Sequence, residues 1–484
     1  MDAAIAGAVL LGICEPHMTG IGGDCFVLFK PAGSDEIKAL NGSGCAPVAA
    51  SAAVMRDAGH TSVPLSGAKS VTIPTAVDAF CRLSNDWGKL GLEAILSPAI
   101  HYADEGVPVA PRVAFDWPRV APVLSGHGRR HYLFDGAPGQ VGQIFRAPGQ
   151  AEVLRRIAKD GRDAFYTGEV AEDMVAELRA GGGVHTVEDF AQTQSFYTDP
   201  VGGDYKGAEL LEHPPNGQGA TAILLLNILK HFEIADMDPL GVERAHIEAE
   251  ATKLAYDARD RFLADPAFTT RLEHMLAPET AAKLAALIHP RRVMKSAAKI
   301  SGAVHKDTVY ITVVDKDRMA VSLIYSIFSG FGSGVASEKF GILFQNRGSG
   351  FSLEEGHPNE LSGGKRPMHT IIPGFVRRGD SLMPFGVMGG AYQPCGHVRL
   401  VSNMVDFGMD PQTAIDAPRC FSAQGVMKVE RGYSETVCRA LTDLGHRVTV
   451  PGRPIGGGQA ILVHENGVLE GASDPRKDGI ALGY

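Results

Sequence analysis

The chain of 484 residues lacks most of the features that announce a specialised class of protein. Its seven cysteines (Cys14, Cys25, Cys45, Cys81, Cys395, Cys420 and Cys438) are odd in number and scattered, and none forms a C-x-x-C pair. Spacing therefore implies neither a metal site nor a disulfide framework, and reduced thiols in a cytoplasm are the simplest account. No apolar run is long enough to span a bilayer. The stretch Met1–Leu11 is apolar but short, and it carries Asp2 where a secretory leader carries basic residues. It is expected to be a buried helix and not a signal peptide. A dense Lys/Arg face is missing as well: 46 basic against 55 acidic residues leave a net charge of −9, which argues against a nucleic-acid surface. There is no internal repeat, no low-complexity tract, no Walker motif and no G-x-S-x-G elbow. Gly20-Ile21-Gly22-Gly23 is too short a match for a dinucleotide loop.

What is there has the balance of a soluble globular protein, with 44% hydrophobic and 21% charged residues. The length suffices to bury one large core or several ordinary ones. Glycine is the one residue in excess, 58 of 484, roughly 12% against a usual ~7%. That excess implies tight turns and close backbone approaches. Cys25–Phe29 reads as a strand, and residues 73–106 read as helix with a break at Gly88/Gly91. Residues 221–232 and 246–262 read as helices, the first entered from the turn Pro214–Gly219. Residues 308–315 and 319–328 read as a hairpin joined at Lys316-Asp317-Arg318. Further helices are expected near 394–406 and 434–445. Helices grouped early and strands grouped late predict packed α and β layers, an α+β fold, in place of a regular βαβ winding.

Three places are candidates for chemistry. His246-x-x-x-Glu250 puts an imidazole and a carboxylate one helical turn apart, but no third ligand stands at a recognisable spacing, so a pair on the helix surface is expected and no metal. Gly389-Gly390 follows a strand and precedes a helix, a turn that aims backbone N–H groups as an oxyanion hole needs; by itself it reads as a tight connection. The third is the junction Asp307-Thr308. A segment rich in His, Arg and Lys, about 289–307, has the composition of a solvated linker and ends where the alternating strand begins. Thr308 is an ordinary strand residue unless the preceding peptide bond is cut. If it is cut, the residue carries its own nucleophile and its own base.

Several motifs together resemble the γ-glutamyltranspeptidase family. They are Glu15–Gly23, the Pro214–Gly219 turn, Asp307-Thr308, Val313–Asp317, Phe331–Gly334, Gly389-Gly390, Ala417-Pro418-Arg419 and Gly471–Arg476, colinear along essentially the whole chain. The resemblance implies an N-terminal-nucleophile hydrolase with a four-layer αββα sandwich, made as an inactive zymogen. Autocatalytic cleavage between Asp307 and Thr308 would give a large subunit, 1–307, with 289–307 as a basic precursor tail, and a small subunit, 308–484. The two share one fold as a heterodimer, with a dimer of heterodimers a further assembly open to them. The resemblance makes Thr308 the nucleophile, Ser326 its hydroxyl partner, and Gly389 and Gly390 the oxyanion hole. The substrate is a small-molecule amide, the acceptor is water or an amine, and no cofactor, nucleic acid or membrane is implied.

The glutamyl-binding positions depart from the family. Lys69 stands for the Arg that holds the substrate α-carboxylate, keeping the charge without the bidentate fork. Gly350 stands for the acid that binds the α-amine, His369-Thr370 for paired serines, and Phe328 for an Asn. Lys69, Arg347 and His369 remain available for an acidic acyl group. The wording of Pro214–Gly219 and of Arg366–Thr370 is similar to the oxamate amidohydrolase branch, with γ-glutamyl transfer of the kind used in glutathione metabolism and cephalosporin-type acylase activity as alternatives. A non-processing relative that only binds is the reading from another class. Family members also carry a strand and the front of the first helix ahead of the position of Met1, so either the start is short or this branch lacks that strand.

Overall fold

The computed structural model describes residues 1–294 and 308–484. Asp307 and most of the basic segment lie outside the described residues. Contacts divide the chain into two compact units, residues 1–198 with 308–371, and residues 199–294 with 372–484. Each unit therefore draws on residues from both sides of the expected cut.

The first unit is built on a five-stranded antiparallel sheet. Its centre is Asp24–Lys30, a nearly continuous apolar run buried on both faces. It pairs with Lys38–Gly42 on one side and with Ala320–Ser326 on the other. Val309–Val314 then closes the hairpin expected at 316–318. The alternation read in this strand is real. Tyr310 enters a cluster with Phe26, Ile324 and Ile371 and bonds Ser322 Oγ at 2.8 Å, while Ile311 faces the first helix across Gly7. That helix, Asp2–Cys14, buries Ala4, Ile5, Ala8, Val9 and Ile13, as its apolar sequence predicts. Ala76–Trp87 and Gly91–Glu105 are separated at the expected glycine break.

The second unit holds a six-stranded antiparallel sheet in which Gly374–Arg378 pairs with Ala208–Glu212 and with Ser381–Met388. Helices Gly219–Leu229, Val242–Phe262 and Gln393–Phe407 pack within the same unit. Arg244 and Arg399 both grip the buried Glu248, at 2.7 and 2.5 Å. Burial pushes the Glu248 carboxyl up, but the two guanidiniums outweigh it and hold it below the usual glutamate range. The contribution is therefore present above the ordinary glutamate pKa and is lost as pH falls through the lowered one. Glu248→Leu strands two buried cations and is expected to cost about 3–5 kcal/mol, read as a lower denaturant midpoint.

The expected grouping of helices early and strands late does not hold. Strands at 24–30 and 38–42 share a sheet with 309–314 and 320–326, and 208–212 pairs with 374–378. Helices Pro111–Val120, Pro148–Asp160 and Gly168–Ala180 fill a region where no helix was read. Partners hundreds of residues apart leave no trace in local periodicity.

Candidate active site

Thr308 sits one residue before the edge strand Val309–Val314, and Val309 pairs with Tyr325. The next rung places Thr308 level with Ser326, and the register continues to Asp24 on the central strand. Residues opposite one another across antiparallel strands share a face, so the sheet sets Thr308, Ser326 and Asp24 in one row. Thr308 is 2% exposed and its Oγ1 donates to Ser326 Oγ at 3.1 Å. Ser326 Oγ also accepts the Phe328 backbone N–H at 2.8 Å. Phe328 adopts φ +78°, a left-handed conformation costly for a bulky residue. That turn carries the chain out of the strand and lays the Phe328 ring against the Arg347 guanidinium, 4.0 Å from its carbon.

Arg347 is buried to 0% exposure. Its Nη1 donates to Thr370 Oγ1 at 2.9 Å, and its Nε lies 3.6 Å from Asp24 Oδ2, an ion pair too long to be a hydrogen bond. Nη2 has no partner among the described residues. Asp24 Oδ1 accepts the Gly44 N–H at 3.1 Å, and Oδ2 lies 3.1 Å from His369 Nε2. His369 Nδ1 accepts the Ile371 N–H, which leaves Nε2 as the donor to Asp24 in the neutral ring. Burial pushes Asp24 up to about 7 against the pull of Arg347, Gly44 and Arg366. Burial likewise brings the Arg347 guanidinium down to about 9, against Asp24.

The structure thus gathers Thr308, Ser326, Phe328, Arg347, His369 and Thr370 into one contact network. It adds Asp24, which sequence reasoning passed over. The available signal was an acid set between Gly23 and the apolar run that begins at Cys25. Lys69 is placed differently. It is exposed, its Nζ is 3.4 Å from His60 Nε2, and it lines a mostly apolar cavity of about 150 Å³ with Val71, Val54, Met55, Phe351 and Leu361. Gly350 ends the short turn Arg347–Gly350, and its carbonyl accepts from Asn359 Nδ2 at 2.6 Å.

The glycine pair belongs to the second unit and lies between strand Ser381–Met388 and helix Gln393–Phe407, as expected. Gly389 has φ +132° and Gly390 φ +58°. A Cβ on Gly389 would stand 3.1 Å from Gly456 Cα, so the turn needs glycine there on both counts. Gln218, from the Pro214–Gly219 turn, donates to Gly390 O at 3.0 Å and is itself held by Arg259 at 3.0 Å.

His246 and Glu250 are buried and do not form the helix-surface pair expected of them. His446, from a distant segment, joins them, and the three ligand atoms lie within 4.8 Å of one another. The donors are already engaged. His246 Nδ1 meets His446 Nε2 and His246 Nε2 meets His289 O, both at 2.8 Å, while Glu250 bonds Lys253 and the Met294 N–H. The helix face is covered by the segment running to residue 294, which helical spacing alone does not reveal.

The sequence matches the family description gamma-glutamyltranspeptidase over residues 1–484. It is 36% identical to a glutathione hydrolase-like YwrD proenzyme of Bacillus subtilis, covering 100% of this chain and 93% of that one. It is 33% identical to an oxamate amidohydrolase proenzyme of Klebsiella pneumoniae, covering 100% and 94%. Among solved structures, a cephalosporin acylase from Bacillus halodurans superposes with a TM-score of 0.92 at 37% identity, covering 99% of this chain and 90% of that one. The α+β fold is accordingly that of the N-terminal-nucleophile hydrolases. With its whole length matched and hydrolase proenzymes among its relatives, the chain belongs to the γ-glutamyltranspeptidase family and is an amidohydrolase.

Proposed function

We propose that the chain cuts its own Asp307–Thr308 bond and then hydrolyses small acidic amides, of which oxamate is the type, through an acyl-enzyme on Thr308. The observation that carries this reading is the Thr308–Ser326 hydroxyl pair in one network with a buried Arg347 whose Nη2 is unpartnered among the described residues. In the cut, Thr308 Oγ adds to the Asp307 carbonyl and the C–N bond breaks. An ester to Asp307 forms, and the Thr308 nitrogen gains a proton to become a free amine. Water then hydrolyses the ester, leaving the Asp307 carboxylate. In catalysis the α-amine, near ~7.7–8.0 when unperturbed, takes the Oγ proton as Oγ attacks the substrate carbonyl. It returns the proton to the departing amine, and water discharges the acyl ester. The Gly389 and Gly390 N–H groups are assigned the oxyanion on the strength of the family resemblance, each such donor contributing ~2.7–4 kcal/mol.

Arg347, His369 and Thr370 are the proposed acyl-group ligands, with Gly350 at the edge of the same turn. Phe328 covers one face of the guanidinium, which leaves a donor edge suited to a small planar carboxylate. Lys69, exposed and outside this network, is left a minor part. The apolar cavity beside it favours a second reading, a larger acyl group of the kind a cephalosporin acylase relative handles. The two subunits are expected to stay associated, because strand Asp24–Lys30 of one pairs with Ala320–Ser326 of the other.

Purified protein should resolve into two bands on a denaturing gel and should release ammonia from oxamate faster than it releases nitroaniline from γ-glutamyl-p-nitroanilide. A single band that persists on incubation would make it a non-processing relative. Efficient nitroaniline release with dipeptide acceptors would return it to the transferases. Ser326→Ala removes the hydroxyl shared by Thr308 and the Phe328 amide. It is expected to slow both cleavage and turnover by about 10–10²-fold, measured by gel time course and steady-state kinetics.

A further inference from the structure

We infer that Asp24 is a specificity-determining residue: held between Arg347 and His369, its protonation sets whether the acyl pocket presents a net cation to a carboxylate-bearing amide. The inference rests on the proposed acyl-binding role of Arg347 and deepens it. Asp24 opens the central strand directly opposite Ser326, so it belongs to the same row as the nucleophile. It is fully buried, and each carboxyl oxygen has a fixed neighbour, Gly44 N–H on Oδ1 and His369 on Oδ2.

Among the described residues, the titratable groups near it come from three places. From its own sheet come Cys25 and Tyr325, on the opposite face, whose thiol and phenol burial keeps neutral. From the 347–350 turn comes Arg347, and from the segment leading to 370 come His369 and Arg366. Arg366 is occupied with the carbonyls of Ser43 and Gln194. Arg347 is therefore a buried cation in direct ion-pair contact with Asp24, and its Nη2 is a buried donor with no acceptor among the described residues, which points to a ligand.

With Asp24 ionised, the pair is neutral, and an incoming carboxylate would lie beside a second carboxylate. With Asp24 protonated, the guanidinium is uncompensated and a substrate carboxylate completes it. Burial holds Asp24 near 7, so the exchange falls in the physiological range. The sign is fixed: anionic amides bind well below that pH, and their KM rises about tenfold per unit above it. A neutral amide of the same shape escapes the effect.

The test is KM against pH for the processed enzyme, with oxamate and its uncharged analogue oxamide, in wild type and Asp24→Asn. Asparagine keeps the shape and an acceptor but cannot ionise. The expected result is a KM for oxamate that climbs with pH in wild type and stays low and flat in Asp24→Asn, with oxamide flat in both. An unchanged climb in Asp24→Asn would overturn the inference. Should that variant fail to fold, His369→Gln decides: a persisting climb supports Asp24, and its loss overturns it. If neither amide is turned over, the acidic-amide reading fails separately. The stabilisation of the protein by oxalate, read by thermal shift at low and high pH, then takes the place of KM. A pH dependence that disappears in Asp24→Asn upholds the inference, and one that is the same in both proteins sinks it.

Discussion

Thr308→Ala should yield a single full-length polypeptide that never divides and has no amidase activity. The alanine has no Oγ to add to the Asp307 carbonyl, and without the cut there is no α-amine to act as base. One substitution thus removes nucleophile and base together. Loss of such a unit costs about 10⁴-fold or more in turnover. Thr308→Ser keeps the Oγ and its reach to Ser326 and should restore two bands and measurable turnover. The readouts are a denaturing gel over a long incubation and ammonia release from oxamate. Two bands from Thr308→Ala would place the cut, or the nucleophile, elsewhere in the chain.

Arg347→Met should lower kcat/KM for oxamate by about 10²-fold or more, since removing one partner of a buried charge contact costs ~2–5 kcal/mol. Methionine fills much of the same volume, so Phe328 keeps a neighbour and the packing loss is small. Stability should fall by less than the usual cost of breaking a buried ion pair. Asp24, already raised to about 7, can take a proton when its cation is gone. Arg347 makes no hydrogen bond to Thr308 or Ser326 in the network described, so self-cleavage should persist. The pairing of intact processing with failed oxamate turnover is what a substrate-binding role predicts. If kcat/KM for oxamate survives Arg347→Met, the acyl pocket is not at Arg347 and the apolar cavity beside Lys69 becomes the better site.

Much of the local structure around the candidate site was legible in the chain. The hairpin at 316–318, the strand at 25–29, the glycine break at 88 and the Gly389-Gly390 turn all rest on local signals, alternation and glycine placement, and all appear where those signals put them. The colinear motifs carried the family. What escaped was long-range. His246 and Glu250 read as a surface pair because helical spacing cannot show that His446 and the segment at 289–294 cover them. Asp24 went unnoticed because a lone acid beside a glycine reads as a turn. Only pairing with Ser326, across some 300 residues, turns it into part of the site. Lys69, aligned with a substrate-binding arginine, is exposed beside His60 and lines a cavity with Gly348.

By itself the sequence determined that this is an α+β hydrolase of the γ-glutamyltranspeptidase family with Thr308 as its candidate nucleophile. The elements rest on period and glycine placement, which are properties of short stretches; the family and the nucleophile rest on the resemblance carried by the colinear motifs. The tertiary structure alone decided that Asp24, Arg347 and His369 form one buried charge cluster in the same network as Thr308 and Ser326. The physical reason is that a charge becomes informative only when its surroundings are known. In water, Asp24 and Arg347 are unremarkable; buried together, with guanidinium Nη2 unpaired among the described residues, they define what the candidate nucleophile is expected to meet.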